Sequence, residues 1–159
     1  MDKKGGVAVT EEEMMAQALE QAYLALAEGE TPVGCVIAKE GRIIARGRNR
    51  RETEKDPTAH AEMEAIRAAA RATGDWRLTG CELYVTLEPC PMCAGAIVQA
   101  RLARVVYGAA DPRQGCAGSV YRVTEDPAFT HFCPADGGVL EKECRAVLDE
   151  FFQNARQGR

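Results

Sequence analysis

The residues whose types and spacing could do chemistry are His60-Ala61-Glu62 and Pro89-Cys90-Pro91-Met92-Cys93. Zinc takes thiolates and a neutral imidazole, and a catalytic zinc site uses three protein ligands and leaves a fourth position for water. Cys90 and Cys93 are three apart, so in the first turn of a helix their sulfurs point the same way. A helix N-terminus and a metal both favour the thiolate. With His60 as third ligand, the water in the open position would have its pKa lowered toward about 7. Glu62, two residues beyond His60, can reach the same point past the helix end. A carboxylate there can take a proton from the water, pass it to a ring nitrogen, and later protonate a leaving amine. The expected chemistry is hydrolytic deamination at an amidine carbon.

Each half of this constellation has plainer readings. A lone C-x-x-C suits a redox pair or half a structural zinc site, and a lone H-x-E means little. A closed structural site needs a fourth ligand, for which His131 or Cys133 is available. Thioredoxin-like redox chemistry leaves His60 and Glu62 without a task. The combination favours the open site. The chain has only two histidines, and one of them stands at a helix start with a glutamate two residues on. The seven cysteines are an odd count in a chain without a visible signal peptide, so a disulfide scaffold is not expected. Cys35, Cys81 and Cys144 lie in apolar patterns and read as small core residues.

The elements that must hold these residues follow from period and punctuation. Thr10 and Glu13 fit a capping box, and Met14 to Glu28 runs at helical period, with Met15, Leu19, Tyr23 and Leu26 on the buried face. Residues 33–38 and 42–48 read as a hairpin across Lys39-Glu40-Gly41. Asp56-Pro57-Thr58 is a helix start. It opens an Ala-rich helix over 59–73, with Met63, Ile66 and Ala70 inward. Residues 83–87 and 104–108 are strands, and 91–100 is a small-residue helix between them. Residues 121–138 read as irregular. Leu140, Cys144, Val147, Leu148, Phe151 and Phe152 mark a closing helix. Four strands alternating with helices predict an α/β layered fold with a mixed sheet.

At 159 residues, the expectation is a short lead-in over 1–10 and a single domain over 11–159. No apolar run has the length of a membrane span, and the N-terminus lacks an apolar core of signal-peptide length, so a cytoplasmic location is expected. No Walker-type loop suggests a nucleotide cofactor. Net charge is −4, which does not advertise a nucleic-acid partner. Locally, Arg42, Arg46, Arg48, Arg50, Arg51 and Lys55 crowd one segment. That segment reads either as a solvated loop or as a rim contacting phosphates.

The motif H-x-E…P-C-x-x-C is that of the zinc deaminases, and longer strings carry the likeness further. Pro32-Val33-Gly34, Asn49, residues 56–62, residues 83–96 and Ala117-Gly118-Ser119 resemble the bacterial tRNA-specific adenosine deaminases, within the cytidine and deoxycytidylate deaminase superfamily. The resemblance runs from roughly Glu11 to Phe152. It implies a cytidine-deaminase-like three-layer α/β/α sandwich with a five-stranded mixed sheet, so one strand is expected after Phe129. It implies one Zn2+ per subunit on His60, Cys90 and Cys93, Glu62 as proton shuttle, and a homodimer. The implied reaction is adenosine to inosine at wobble position 34 of a tRNA anticodon stem-loop. Asn49 matches the asparagine that holds the base, and Ala61 a backbone contact to it. Asp111 and His131 match positions near the anticodon loop. Thr130 and Gln153 depart from the family, where Asn and Arg are common. Two other readings stand beside this one. One is a free-base or nucleoside deaminase on the same fold. The other is a non-catalytic RNA-binding subunit, against which the presence of Glu62 weighs.

Overall fold

The computed structural model describes residues 9–158; of the lead-in expected over 1–10, residues 1–8 lie outside the described residues. Helix α1 spans Glu11–Ala27, and Thr10 caps it. The Thr10 hydroxyl accepts from Glu13 N at 3.0 Å, and the Glu13 carboxylate accepts from Thr10 N at 2.8 Å. Strands β1 (Gly34–Lys39) and β2 (Arg42–Arg48) form the expected hairpin. A four-residue helix α2 (Arg51–Glu54) follows, then α3 (Ala61–Thr73), β3 (Cys81–Leu87), α4 (Pro91–Gln99) and β4 (Arg104–Ala109). The region read as irregular contains a 3-10 turn at Val123–Glu125 and the expected fifth strand, β5 (Ala135–Asp136). Helix α5 (Glu141–Arg156) closes the chain.

The five strands form one sheet in the order β2-β1-β3-β4-β5. β1 runs antiparallel to β2 and β3, whereas β3, β4 and β5 are parallel. Successive strand residues face opposite sides, and the core divides accordingly. Leu83 and Val85 pack with Cys35, Ile37 and the α3 alanines Ala61, Ala65 and Ala69. Tyr84 packs on the other face with Val36, Val106, Met15 and Cys144. The sheet therefore lies between α3 and α4 on one side and α1 and α5 on the other, the three-layer sandwich implied by the resemblance.

Three details differ from the sequence reading. On α1 the buried face is Met14, Met15, Ala18, Leu19, Ala22 and Ala25, while Tyr23 is 48% exposed. Ala18 and Ala22 stand where α1 comes closest to the sheet: a Cβ on Gly34 would meet Ala18 O and Ala22 N. On α3, Ala65 and Ala69 are fully buried, while Met63, Ile66 and Ala70 flank that contact. β5 is only two residues long, bonded to β4 at Val105 and Val106, too short to carry a periodic signal.

Candidate active site

The ends of β2, β3 and β4 and the start of β1 meet at one edge of the sheet, as the pairings Gly34–Arg48, Cys35–Val85 and Leu87–Ala109 require. Crevices at the carboxyl ends of parallel strands are where α/β sheets bind ligands. A cavity of about 630 Å³ opens there, lined among others by Asn49, His60, Ala61, Glu62, Cys90 and Asp111.

His60 and Cys90 are the N-cap residues of α3 and α4, both extended in backbone and neither using its side chain to cap. Their side chains are thus free to project past the helix ends. Pro91 at the first position of α4 suits the helix start, and Cys93 sits one turn in, fully buried. Gly47 on β2 is what lets α3 lie against the sheet here: a Cβ at that position would stand 2.2 Å from Ala61 O.

His60 Nδ1 lies 3.6 Å from Cys90 Sγ and 3.5 Å from Cys93 Sγ. In a tetrahedral zinc site, bonds of about 2.0–2.1 Å to nitrogen and about 2.3 Å to sulfur place N and S roughly 3.6 Å apart. The three residues therefore fit zinc in spacing as well as in donor type. Among the described residues no fourth ligand joins this group. His131 and Cys133, the candidates for a closed site, lie elsewhere. The arrangement keeps one coordination position open.

Electrostatics divides the cysteine pair. Cys90 is lowered to about 4, first by a hydrogen bond from Cys93 and also by His60, against the effect of burial. Cys93 is pushed well above the usual thiol range by the same hydrogen bond and by burial. A divalent cation bound by both sulfurs displaces the Cys93 proton. Glu62, 4% exposed, is raised to about 7, first by burial and also by the Cys90 charge, while His60 and Cys93 pull the other way. A dication beside it favours the carboxylate.

Asn49 is oriented through both ends of its amide. Nδ2 donates to Thr31 O at 3.1 Å, and Oδ1 accepts from Arg51 N at 3.2 Å. Each end keeps one further hydrogen-bonding position. The structure brings Asn49, Ala61 and Asp111 to the cavity, but not His131. His131 Nε2 lies 2.6 Å from Leu102 O, just ahead of β4 and so toward the opposite end of that strand from Ala109 and the cavity.

The basic rim is also redrawn. Arg48 pairs with Glu28 and Arg50 with Glu54. Arg46 donates to Gln17, and Arg42 and Arg46 line a separate shallow hollow with Val9 and Glu13. Of that segment only Arg51 borders the cavity, joined by Arg113 and Arg145 from distant parts of the chain. These last two went unnoticed in the sequence because each stands in mixed surroundings with no local charge pattern.

Two buried carboxylates were missed as well. Glu30, 1% exposed, accepts from Glu52 N (3.1 Å), Thr53 N (2.6 Å) and the Thr53 hydroxyl (2.7 Å), holding the start of α2 next to Asn49 and Arg51. Glu88, between β3 and Cys90, is 2% exposed and gathers the loop over 111–119. Burial raises each of these two, but hydrogen bonds outweigh it and hold both below the usual carboxylate range.

Residues 8–109 match the model of the cytidine and deoxycytidylate deaminase zinc-binding region. The chain is 47% identical over 150 residues to the tRNA-specific adenosine deaminase of Bacillus subtilis (strain 168), covering 94% of this chain and 93% of that one. It superposes with a TM-score of 0.81, at 44% identity, on a solved structure from work on A-to-I editing by tRNA:A34 deaminases at the wobble position of transfer RNA, covering 84% of this chain and 97% of that one. It also matches the Bacillus subtilis guanine deaminase structure, at 45% identity and a TM-score of 0.62, over 64% of this chain and 65% of that one.

Proposed function

Since this chain belongs to the cytidine and deoxycytidylate deaminase zinc-binding family, we propose that it is a zinc-dependent hydrolase converting adenosine to inosine at position 34 of tRNA anticodons. The observation that carries the reading is the open His60, Cys90 and Cys93 cluster with buried Glu62 beside it on one cavity. A zinc ion on those three residues supplies an acidified water at neutral pH.

The chain's own residues do the rest. Glu62 takes the proton that water loses as oxygen adds to C6 of the base, and delivers it to N1. It then carries the second proton to the exocyclic nitrogen, the C6–N bond breaks, and ammonia leaves. Glu62 lies buried on the same cavity as the three ligands, where one carboxylate can serve both transfers. Asn49, through its free donor and acceptor, and the Ala61 backbone orient the base. Val33, Leu87, Leu148 and Phe152 offer apolar surface to a base taken out of its stack. Arg51 and Arg113 stand at the rim for backbone phosphates. A tRNA substrate supports a cytoplasmic location. Among the described residues no helix is long and apolar enough to cross a membrane.

The test is inosine formation. Incubated with tRNA bearing A34, the protein is expected to give an A-to-G change at that position on reverse transcription. The likeness to a guanine deaminase supports a second reading, on a free base. Ammonia release from guanine with A34 untouched would establish that one instead.

Residues 11–159 read as one domain, and the chain as a homodimer. Val120, Tyr121, Phe129 and Phe132 stand 43%, 68%, 49% and 60% exposed within one short stretch, which packs on α4 through the turn at Val123–Glu125. Apolar clusters of this kind mark interaction surfaces. Light scattering is expected to give twice the 17.2 kDa chain mass, and the double variant Tyr121→Ser, Phe132→Ser to give the monomer.

A further inference from the structure

Glu88 borders the cavity next to Cys90, yet its carboxylate has no acceptor position left for a substrate. Oε1 accepts from Asp111 N at 2.9 Å and from the Ser119 hydroxyl at 2.5 Å. Oε2 accepts from Ala117 N at 3.0 Å and Ser119 N at 2.9 Å. A carboxylate offers about four such positions, and all are filled. Among the described residues Glu88 has no cationic partner either. Three backbone N–H groups converging from one loop make a nest for an anion, and here the chain supplies the anion itself.

The wrap is tight. A Cβ on Gly115 would stand 2.3 Å from Glu88 Cδ. Two backbone bonds complete the junction, Glu88 N to Ala109 O at 2.9 Å and Cys116 N to Pro89 O at 2.8 Å. The far side of the same loop forms a cavity wall: Asp111, Pro112, Arg113 and Gln114 line it. Asp111 Oδ1 fixes their course by accepting from Arg113 N at 3.0 Å and Gln114 N at 3.4 Å.

We infer that Glu88 is a positioning residue for substrate: its carboxylate sets the 111–119 loop, and through that loop the wall that receives the RNA around the reacting base. Ala117-Gly118-Ser119, part of the family likeness, thereby has a task, which is to close the loop onto Glu88. The inference rests on the reading of the site as a tRNA deaminase. It separates two jobs for adjacent residues, since Cys90 holds the metal and Glu88 holds the wall.

The test uses the zinc-loaded protein and an A34 anticodon stem-loop, with Glu88→Gln, Ser119→Ala and Ser119→Thr beside the parent. The glutamine NH2 faces either Asp111 N and the Ser119 hydroxyl, which can turn to accept, or Ala117 N and Ser119 N, so one or two of the four bonds are lost. Glu88→Gln is expected to raise KM about tenfold with kcat within about threefold, the pattern of lost binding rather than lost chemistry, and with one zinc per chain. Ser119→Ala is expected to shift KM the same way by less, and Ser119→Thr, which keeps the hydroxyl, to restore it. A fall in kcat at unchanged KM, loss of zinc, or parental KM in both Glu88→Gln and Ser119→Ala would overturn the inference. If Glu88→Gln does not fold, Ser119→Ala against Ser119→Thr decides. A parent that forms no inosine removes the functional reading and this inference with it. An active parent with variants off the pattern removes the inference alone.

Discussion

At the scale of single residues, the site separates holding a metal from moving protons. His60, Cys90 and Cys93 hold, and their mutual spacing of 3.5–3.6 Å about the imidazole already suits zinc. Glu62, buried beside them, is the proposed proton carrier. Glu62→Gln keeps the shape and removes the proton carrier. Its kcat is expected to fall by about 10²–10⁴ while elemental analysis still finds one zinc per chain; full activity in that variant would end the proposed role. His60→Ala is expected to lose the metal instead. Asn49 differs from these in being oriented from both ends before any substrate arrives, which reduces the ordering that binding must impose.

At the scale of elements, two carboxylates and one glycine set the walls. Glu30 caps α2, a helix too short to hold itself. Its hydrogen bonds outweigh the upward effect of burial and keep its pKa below the ordinary 4.5. A carboxylate whose folded pKa is depressed contributes stability above its unfolded value and loses it as pH falls through the folded one. Glu30→Gln is therefore expected to cost roughly 1–3 kcal/mol at pH 7. The gap to the parent should hold constant down to about pH 5 and narrow below pH 4.5, read from urea midpoints at each pH. A gap that widens in acid would sink the account. Gly47 acts through space rather than charge. Gly47→Ala drives a methyl into the Ala61 carbonyl, with an expected loss of about 1–3 kcal/mol and weaker zinc retention against a chelator, because His60 begins that same helix.

At the scale of the whole molecule, the apolar cores on the two faces of the sheet contain none of His60, Cys90 and Cys93, so zinc is expected to act as a bound ligand on a fold those cores hold. Ligand binding to the folded state alone stabilises by about 4 kcal/mol at a thousand times Kd, and each kcal/mol moves the Tm of a chain this size by roughly 2–4 °C. Removing zinc is expected to lower the calorimetric Tm by roughly 10 °C while the far-ultraviolet circular dichroism at 25 °C is retained. Collapse of that signal on chelation would show that the metal holds the fold itself.

The chemistry was legible in the sequence because its markers are local. His60 and Glu62, and Cys90 and Cys93, lie within one helical turn of each other, and Pro91 opens α4 as a helix-start proline should; Pro57 instead sits in a turn ahead of α3, whose N-cap is His60. The α1 capping box was legible for the same reason. Tertiary structure alone decided the rest. It turned Tyr23 outward and set Ala18 and Ala22 against Gly34, and it added β5, whose two residues are held by β4 rather than by any pattern of their own. It paired Arg48 with Glu28 and Arg50 with Glu54, leaving Arg51 to meet Arg113 and Arg145 at the cavity. It set Glu30 and Glu88 against amides 22 to 31 residues further along the chain. Spacing within a turn is written in the order of residues, whereas these partnerships exist only once the sheet has brought its strand ends to one edge.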